Sequence, residues 1–308
     1  MSKKKNTPSP TRKTSIPPVA DSVVPAQSGH HWVPYLLLGA TAFLLYANTL
    51  GHDYVLDDDL ALRLHQNVSR GLAGIGDIFA APYREGCFGG CLYRPLTLTT
   101  FAIEWAFAPN KPFIGHLMNV LWFSATALLL YGALRQLLHR QSPVLAFAAT
   151  LLFVAHPLHT EVVANIKSRD EILCLFFIVL SINLFTRNLT AQTGRSKWLV
   201  GAAFAYLCAL LSKESAITAL PVFPLIAWTF FGQSASRSLA LSLWALAPIL
   251  AFFLLRGSAL SGLTAPAVSY MDNPIVAAKG FGERFSTSFV VLGKYLWLLF
   301  VPITLLSD

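Results

Sequence analysis

The chain has 308 residues, of which 55% are hydrophobic and only 12% are charged. Soluble globular domains carry about twice that share of charged residues, so the composition excludes an ordinary water-soluble enzyme. The formal net charge is +8. Its basic residues are dispersed among apolar segments, whereas a nucleic-acid-binding surface needs them gathered on one water-facing patch. The charge therefore does not indicate nucleic acid as a partner.

Apolar runs recur from residue 32 onward, and runs of about 20 such residues suffice to cross the hydrocarbon core of a bilayer as a helix. Because backbone groups inside lipid must satisfy their own hydrogen bonds, these runs predict helices rather than open sheets. We therefore expect an all-α, polytopic membrane helical bundle with about eight transmembrane helices. The runs lie at 32–50, 113–134, 144–155, 172–185, 198–211, 216–231, 239–255 and 286–305.

The first 31 residues differ from the rest, because they combine Lys and Arg with many Pro and Ser and show no apolar period. This pattern predicts a disordered, basic tail over residues 1–31, and the positive-inside rule places it in the cytoplasm. Alternation from there puts the basic turns near Arg135, Arg187 and Arg237 inside. The segments expected on the outer face are 51–92, 156–171, 212–215 and 256–285.

Acidic residues concentrate on that predicted outer face, beginning with Asp57, Asp58 and Asp59. Carboxylates are costly to hold together, and metal binding or proton transfer is a frequent reason for doing so, although a hydrated acidic loop is the simpler alternative. The sequence defines no cofactor and assigns no metal ligand, but oxygen ligands would suit a hard divalent cation. Further ionisable residues of this face are Arg94, His156, His159, Glu161, Arg169, Asp170, Glu171, Lys213 and Glu214.

Several of these residues have simpler interpretations. Lys213 and Glu214 are neighbours and can form an interfacial ion pair, and His156 and His159 can cap the end of a helix. The histidines have no third ligand at a spacing typical of zinc sites. Cys87 and Cys91 flank Phe88-Gly89-Gly90 and are either a disulfide or two free thiols.

Short motifs occur in the order seen in one known family. They read YVLDD at 54–58, YRPLT at 93–97, GHLMNVL at 115–121, HPLHTEVVA at 156–164 and LSKES at 211–215, followed by MDNP at 271–274 and KYL at 294–296. Over residues 32–308 the chain resembles the transmembrane and tetratricopeptide-repeat family, a branch of the GT-C membrane glycosyltransferases. Phe123 departs from the pattern, since the family often has a second histidine there.

The resemblance implies a GT-C-like transmembrane glycosyltransferase domain over 32–308. It implies a polyprenyl-phosphate-linked sugar, such as mannose, as donor and a protein or glycan hydroxyl on the outer or lumenal face as acceptor. Asp57 and Asp58 map to the catalytic acids of the family, while Asp59 falls on a variable position. The expected roles of the others are donor-phosphate binding for Arg94, Arg169 and Lys213, and the sugar or acceptor pocket for His156, His159, Glu161 and Glu214.

No 34-residue helical repeat is visible, and the chain stops at Asp308 directly after an apolar run. We therefore expect the transmembrane domain to be incomplete at its C-terminus. The expected location is a bacterial inner membrane, or the endoplasmic reticulum membrane in a eukaryote.

The alternatives to a transferase are a polytopic transporter and a non-catalytic membrane scaffold. Charges at the outer mouth favour a transferase, and charges along the bilayer centre favour a transporter. For a transferase, Asp57 or Asp58 should lie within about 12 Å of Lys213 or Arg169.

Overall fold

The computed structural model describes residues 32–55, 57–84, 87, 91–264 and 280–302, and within them the chain is helical and contains no β-strand. The all-α prediction is confirmed. The predicted tail 1–31 and the motif at 271–274 lie outside the described residues. The α-helices are α1 (Val33–Tyr46), α2 (Ile75–Phe79), α3 (Pro95–Phe107), α4 (Pro112–Leu137), α5 (Pro143–Val154), α6 (His159–Ala164), α7 (Arg169–Thr190), α8 (Arg195–Ser212), α9 (Val222–Thr229), α10 (Ala235–Ser242), α11 (Leu246–Ala259) and α12 (Phe281–Phe300).

Every apolar run identified in the sequence contains helix in the structure. Four helical segments of the described chain are long and apolar enough to cross a membrane, namely Val33–Gly51, Pro112–Leu137, Ile166–Thr190 and Ala235–Ala259. Shorter apolar helices lie at Pro143–Val154 and Glu214–Thr229. The protein is thus a multi-pass membrane bundle, and the number of eight crossings stays a prediction.

Proline marks where several of these helices begin. It occupies the first or second position of α1, α3, α4 and α5. Proline is favourable there because its ring presets a helical φ and because the N–H that it lacks would have no partner in the first turn. At α5, the Ser142 hydroxyl also accepts a hydrogen bond from the Val144 N–H and caps the helix.

The core is centred on α7, which packs along both α4 and α8. Between α7, α8 and α9 the rings of Phe185, Tyr206 and Phe223 meet edge to face, with Phe223 and Tyr206 centroids 5.3 Å apart. Trp244 closes this aromatic cluster, 4.9 Å from Phe223. This packing holds α7 in place, and the first turn of α7 carries Arg169, Asp170 and Glu171.

The segment between α1 and α4 is a folded unit, which the sequence did not predict. Helix α3 and the short 3₁₀ segment Val68–Gly74 pack together around Val68, Ile78 and Phe101, all essentially without exposed surface. Cys87 and Cys91 are joined by a disulfide in this unit. The acidic residues therefore sit on a structured cover over one end of the bundle.

Contacts between helix ends show which end of the bundle this cover lies on. Tyr46 in the last turn of α1 donates to the Val154 carbonyl at the end of α5, and Thr97 at the start of α3 donates to Ser212 at the end of α8. Asn119 near the start of α4 donates to Asn165, shortly before α7. These are the termini that alternation assigns to the outer face, so we call this the outer end and the opposite one the inner end.

Helix α12 does not follow the predicted alternation. The Nε2 atom of His156, at the outer end, lies 2.9 Å from the carbonyl oxygen of Leu299, in the last turn of α12. Alternation from the outer segment 256–285 predicts instead that the run at 286–305 finishes at the inner end. No described residue of α12 is buried, so nothing in the packing of the bundle holds it in an inward crossing.

The contact between α4 and the start of α7 is tight enough to test. A Cβ atom added to Gly115 would lie 2.8 Å from Cδ1 and 2.9 Å from Cγ2 of the buried Ile166. We expect Gly115→Ala to lower the free energy of unfolding by about 1–3 kcal/mol, as overpacking does. Thermal unfolding of the detergent-purified protein, followed by intrinsic fluorescence, measures this loss.

Gly132→Ala, in the same helix, is the matched control. Its Cβ would make only an ordinary contact, 3.6 Å from Asn183 Oδ1, and alanine favours a helix over glycine by up to about 1 kcal/mol. Equal melting temperatures for the two variants would contradict the close approach of α4 to the residues before α7.

Candidate functional site

One guanidinium group at the outer end is completely buried. Arg169, the first residue of α7, has no exposed surface. Its Nε donates to Asn119 Oδ1 at 2.8 Å, and its Nη2 donates to the Gly115 carbonyl oxygen at 2.9 Å. Its Nη1 donates to the Thr100 hydroxyl and to the Glu104 carboxylate. Each nitrogen has an acceptor, as the burial of a charge requires.

A second guanidinium, that of Arg94, lies just before α3 and is 7% exposed. Its Nε and Nη2 donate to the two oxygens of Glu214 at 3.0 and 2.8 Å, and its Nη1 donates to Asp170. The ammonium of Lys213 contacts Glu171 and lies 3.9 Å from Asp170 Oδ1. We call these five residues the outer charge cluster.

The outer charge cluster contains two cations and three carboxylates, so it carries one excess negative charge. Burial by itself would lower the pKa of Arg94, but its hydrogen bonds to Glu214 and the charge of Asp170 raise that pKa overall. The guanidinium is therefore permanently charged and already compensated. The geometry leaves no surplus positive charge at Arg94 for a phosphate.

These contacts bear on the predicted roles, which stay predictions. Arg94 and Arg169 were expected to hold a donor phosphate, but both are buried and use their nitrogens on protein acceptors. Glu214 was expected in a sugar pocket, but both of its oxygens accept from Arg94. Lys213 keeps partial exposure, 18% of its side chain, and its phosphate role stays a prediction.

Asp57 presents an accessible carboxylate at this end, since its side chain is 43% exposed. Its Oδ2 accepts from Arg84 Nη2 at 2.8 Å and lies 3.9 Å from the Nζ of Lys167. Both cations are partly exposed, by 24% and 22%. We call Asp57, Arg84 and Lys167 the Asp57 site, a water-accessible carboxylate with both cations beside its Oδ2 atom.

Asp58, unlike Asp57, has no exposed surface. Its Oδ1 accepts from the Lys167 backbone N–H at 2.7 Å and its Oδ2 from the Val55 N–H at 3.1 Å. Burial raises the pKa of Asp58, although these two backbone hydrogen bonds oppose the rise. Asp58 thus ties the acidic segment to the start of α7, so the alternative of a hydrated acidic loop does not apply to this carboxylate.

The acidic triplet does not converge on one point. Asp57 faces Arg84 and Asp58 faces backbone N–H groups, while Asp59 pairs with Arg63 one helical turn away at 3.0 Å. Among the described residues, no group of three or more His, Cys, Asp or Glu side chains is placed to hold a metal ion.

The Asp57 site and the outer charge cluster lie at the same end of the bundle. Lys167, which contacts Asp57 and Asp58, precedes Arg169 by two residues, and Asp170 and Glu171 follow directly. The acidic segment and Lys213 are therefore on one face, as the alternation predicts.

The predicted sugar-pocket histidines lie at the outer end, where His159 packs against aromatic rings. The His159 ring centroid lies 4.4 Å from that of Phe153 and 5.4 Å from that of Phe123. Burial lowers the pKa of His159, and the nearby His156 adds to this. His159 is thus favoured in its neutral form, while Glu161 is exposed.

The sequence did not identify three charged residues of the outer end, namely Arg84, Glu104 and Lys167. Lys167 lies between the candidate residues Glu161 and Arg169 on the predicted outer segment 156–171, so its charge and position could have identified it. Arg84 and Glu104 gave no comparable signal, since their importance comes from a unit whose folding was not predicted.

The comparisons with known proteins find relatives in animals. The chain is 29% identical over 306 residues to protein O-mannosyl-transferase tmtc2 of Xenopus laevis and 30% identical over 305 residues to TMTC2 of Homo sapiens. Each match covers 89% of this chain and 35% of the relative. Tmtc1 of Drosophila melanogaster is 33% identical over 186 residues, 59% of this chain and 21% of that protein.

The chain therefore spans about a third of the length of the two vertebrate relatives. No model of a protein family matches it. No solved structure matches it either.

The burial of Arg169 predicts that its counter-charge, Glu104, is structural. Glu104→Gln would leave the buried guanidinium without a carboxylate, and breaking a buried ion pair costs about 3–5 kcal/mol. We expect a correspondingly lower melting temperature or loss of the folded protein. Glu161→Gln removes an exposed carboxylate and should change stability by less than about 0.5 kcal/mol. Similar stability of both variants would show that Arg169 does not depend on Glu104.

Proposed function

The chain is a relative of the transmembrane and tetratricopeptide-repeat proteins named protein O-mannosyl-transferases, and from that premise we propose that it transfers a sugar from a polyprenyl-phosphate donor to a hydroxyl group. Mannose is the sugar that the names of the relatives favour, and a protein hydroxyl is the acceptor that they favour. Transfer would take place at the outer or lumenal end of the bundle.

The observation that carries this proposal is the Asp57 site. A general base for a hydroxyl must be accessible to the acceptor, and Asp57 is the accessible member of the acidic pair, with 43% of its side chain exposed. A leaving phosphate needs cations close to the reacting centre, and Arg84 and Lys167 stand beside the same carboxylate. One small region thus offers both kinds of group.

The proposed reaction is an inverting displacement at sugar C1. The acceptor oxygen forms a bond to C1 as the bond from C1 to the phosphate oxygen breaks, and the lipid phosphate departs with that electron pair. Asp57 takes the proton of the acceptor hydroxyl and later returns it to water. Arg84 and Lys167 offset the charge that grows on the phosphate, and Lys213 is a third candidate for this role.

Asp58 acts in this proposal as a positioning residue. Its two backbone hydrogen bonds, to Val55 and Lys167, fix the acidic segment against the start of α7. They therefore set the distance between the Asp57 carboxylate and the Lys167 ammonium. His156, His159 and Glu161 remain the proposed pocket for sugar or acceptor, on the neighbouring side of the outer end.

The distribution of charge favours a transferase over a transporter. The ion pairs of the described residues all involve segments at the outer end, and none lies midway along a membrane helix. A non-catalytic scaffold is distinguished by the assay below. The relatives named above come from animals, so an endoplasmic reticulum membrane is compatible with them and a bacterial inner membrane receives no support.

Asp57→Asn tests the assignment of the base. The amide preserves size but cannot take a proton, and loss of general base catalysis typically costs about 10²–10⁴-fold in rate. We expect transfer of labelled mannose from a polyprenyl-phosphate donor by the complete protein to fall by that factor, with an unchanged melting temperature.

Asp59→Asn provides the matched control, since this carboxylate pairs with Arg63 on the surface. Its transfer rate should stay within about two-fold of the wild type. Asp58→Asn should instead reduce the yield of folded protein, because the amide cannot accept both backbone N–H groups. Equal losses of rate per folded molecule at Asp57 and Asp59 would refute the assignment, and absence of transfer by the wild type would favour a scaffold.

The proposed phosphate-binding role of the lysines is tested separately. Lys167→Ala should lower the rate by about ten- to a hundred-fold, since a hydrogen bond to a charged group contributes about 1.5–3 kcal/mol. Lys213 is already bound to Glu171, so Lys213→Ala should have the smaller effect. Single-turnover kinetics with saturating acceptor measures both, and a larger loss at Lys213 would move the phosphate to the outer charge cluster.

A further inference from the structure

A polar cavity of about 570 Å³ lies at the inner end of the bundle, opposite the proposed catalytic region. It opens between α1, α4 and α7. Its polar lining comes from Arg135, Gln136, Asn183 and Arg187, and its apolar wall includes Leu128 and Leu129. None of these residues has a role in the proposed transfer reaction, so the cavity requires its own explanation.

The floor of the cavity is a fixed network of amide and hydroxyl groups. Gln136 Nε2 donates to Asn183 Oδ1 at 2.6 Å, and Thr186 Oγ1 donates to Gln136 Oε1 at 2.8 Å. The Asn183 amide nitrogen donates to the Leu129 carbonyl at 3.1 Å. Asn183 and Thr186 are buried. Since these side chains are held by one another, the cavity keeps its shape without a ligand.

Two guanidinium groups stand at the rim of this floor, and neither makes an ion pair with a carboxylate of the described chain. Arg135 donates to the Tyr131 hydroxyl at 3.2 Å and lies over its ring, and Arg187 lies over the Trp198 ring, 5.3 Å from its centroid. The lack of ion pairs follows from the sequence, because the inner segments contain no Asp or Glu. These segments are 132–145, 187–198 and 229–240.

Among the described residues, the guanidinium groups of the outer end differ from those of the inner end in having carboxylate partners. At the outer end the buried guanidinium groups are compensated by carboxylates such as Glu104 and Asp170. The positive charge at the inner end continues into an adjoining cavity of about 600 Å³, which Arg135 shares with His139 and Arg140. The positive-inside rule accounts for basic residues on these turns, but it does not require them to converge on a preformed polar cavity.

We propose that this inner cavity binds the phosphate headgroup of an anionic membrane lipid. The headgroup would sit between Arg135 and Arg187, where planar guanidinium groups can donate paired hydrogen bonds to phosphate oxygens. An acyl chain would follow the apolar wall formed by Leu128 and Leu129. Basic pockets between membrane helices on the cytoplasmic side are suited to such headgroups. The proposal is independent of the transfer reaction at the outer end.

Native mass spectrometry of the full chain in nanodiscs tests this binding. Retention of phosphatidylglycerol should exceed retention of phosphatidylcholine in the wild type. Each basic residue near anionic lipid contributes roughly a five-fold gain in affinity, so Arg135→Gln/Arg187→Gln should lose about 25-fold. Arg237→Gln is the control for a single charge, since it removes one positive charge from an inner turn and lines neither cavity. Its retention should stay within about two-fold of the wild type, whereas Arg187→Gln alone should lose about five-fold.

Several results would overturn the proposal. Equal retention of the two lipids by the wild type would do so, and this comparison needs no variant to fold. Equal losses in the double variant and in Arg237→Gln would show diffuse surface attraction instead of a site. Displacement of the lipid by millimolar inorganic phosphate would assign the cavity to a soluble phosphate compound. If the Gln variants fail to fold, Arg135→Lys/Arg187→Lys must show an intermediate affinity for the proposal to stand.

Discussion

The fully buried guanidinium of Arg169 organises the outer end of the bundle. A charge without solvent contact is tolerated only when carboxylates and hydrogen-bond acceptors surround it. Arg169 obtains them from Glu104 on α3 and from Gly115 and Asn119 on α4, while it belongs to α7 itself. The three helices cannot separate without exposing an uncompensated charge, so the cover formed by α3 is attached to the bundle by electrostatics as well as by packing.

This constraint divides the charged residues into two groups. Those with buried, mutually compensated charges, such as Arg94 and Asp170, hold helix ends together. Those of the Asp57 site remain accessible to water. Because Asp58 is tied to the backbone at Lys167, the accessible carboxylate is attached to the same rigid framework that Arg169 organises. A proposed catalytic group on a rigid support needs little reorganisation during the reaction, which is one of the main sources of enzymatic rate enhancement.

The sequence predicted the helical bundle well and the details of its outer end poorly, for a physical reason. Long apolar runs such as 113–134 specify a membrane helix by composition alone. Helix α3 was missed because its Thr residues and Glu104 interrupt the apolar pattern and because 13 residues are too few for a membrane span. Asp57 and Asp58 are chemically identical neighbours, so only their tertiary contacts distinguish the exposed carboxylate from the buried one. The burial of Arg169 depends likewise on α3, whose position the sequence did not reveal.

In the proposed reaction, Asp57 takes the proton of the acceptor while Arg84 and Lys167 hold the phosphate. Binding of a non-transferable phosphonate analogue of the donor, measured by calorimetry on the complete protein, separates these roles because no bond is broken. Replacing Arg84 and Lys167 with Gln should weaken binding by at least about ten-fold, whereas Asp57→Asn should leave it unchanged or tighten it, since a negative charge beside the phosphate is removed. Weaker binding in Asp57→Asn, with no change in the Arg84→Gln/Lys167→Gln variant, would show that the phosphate does not bind at Arg84 and Lys167.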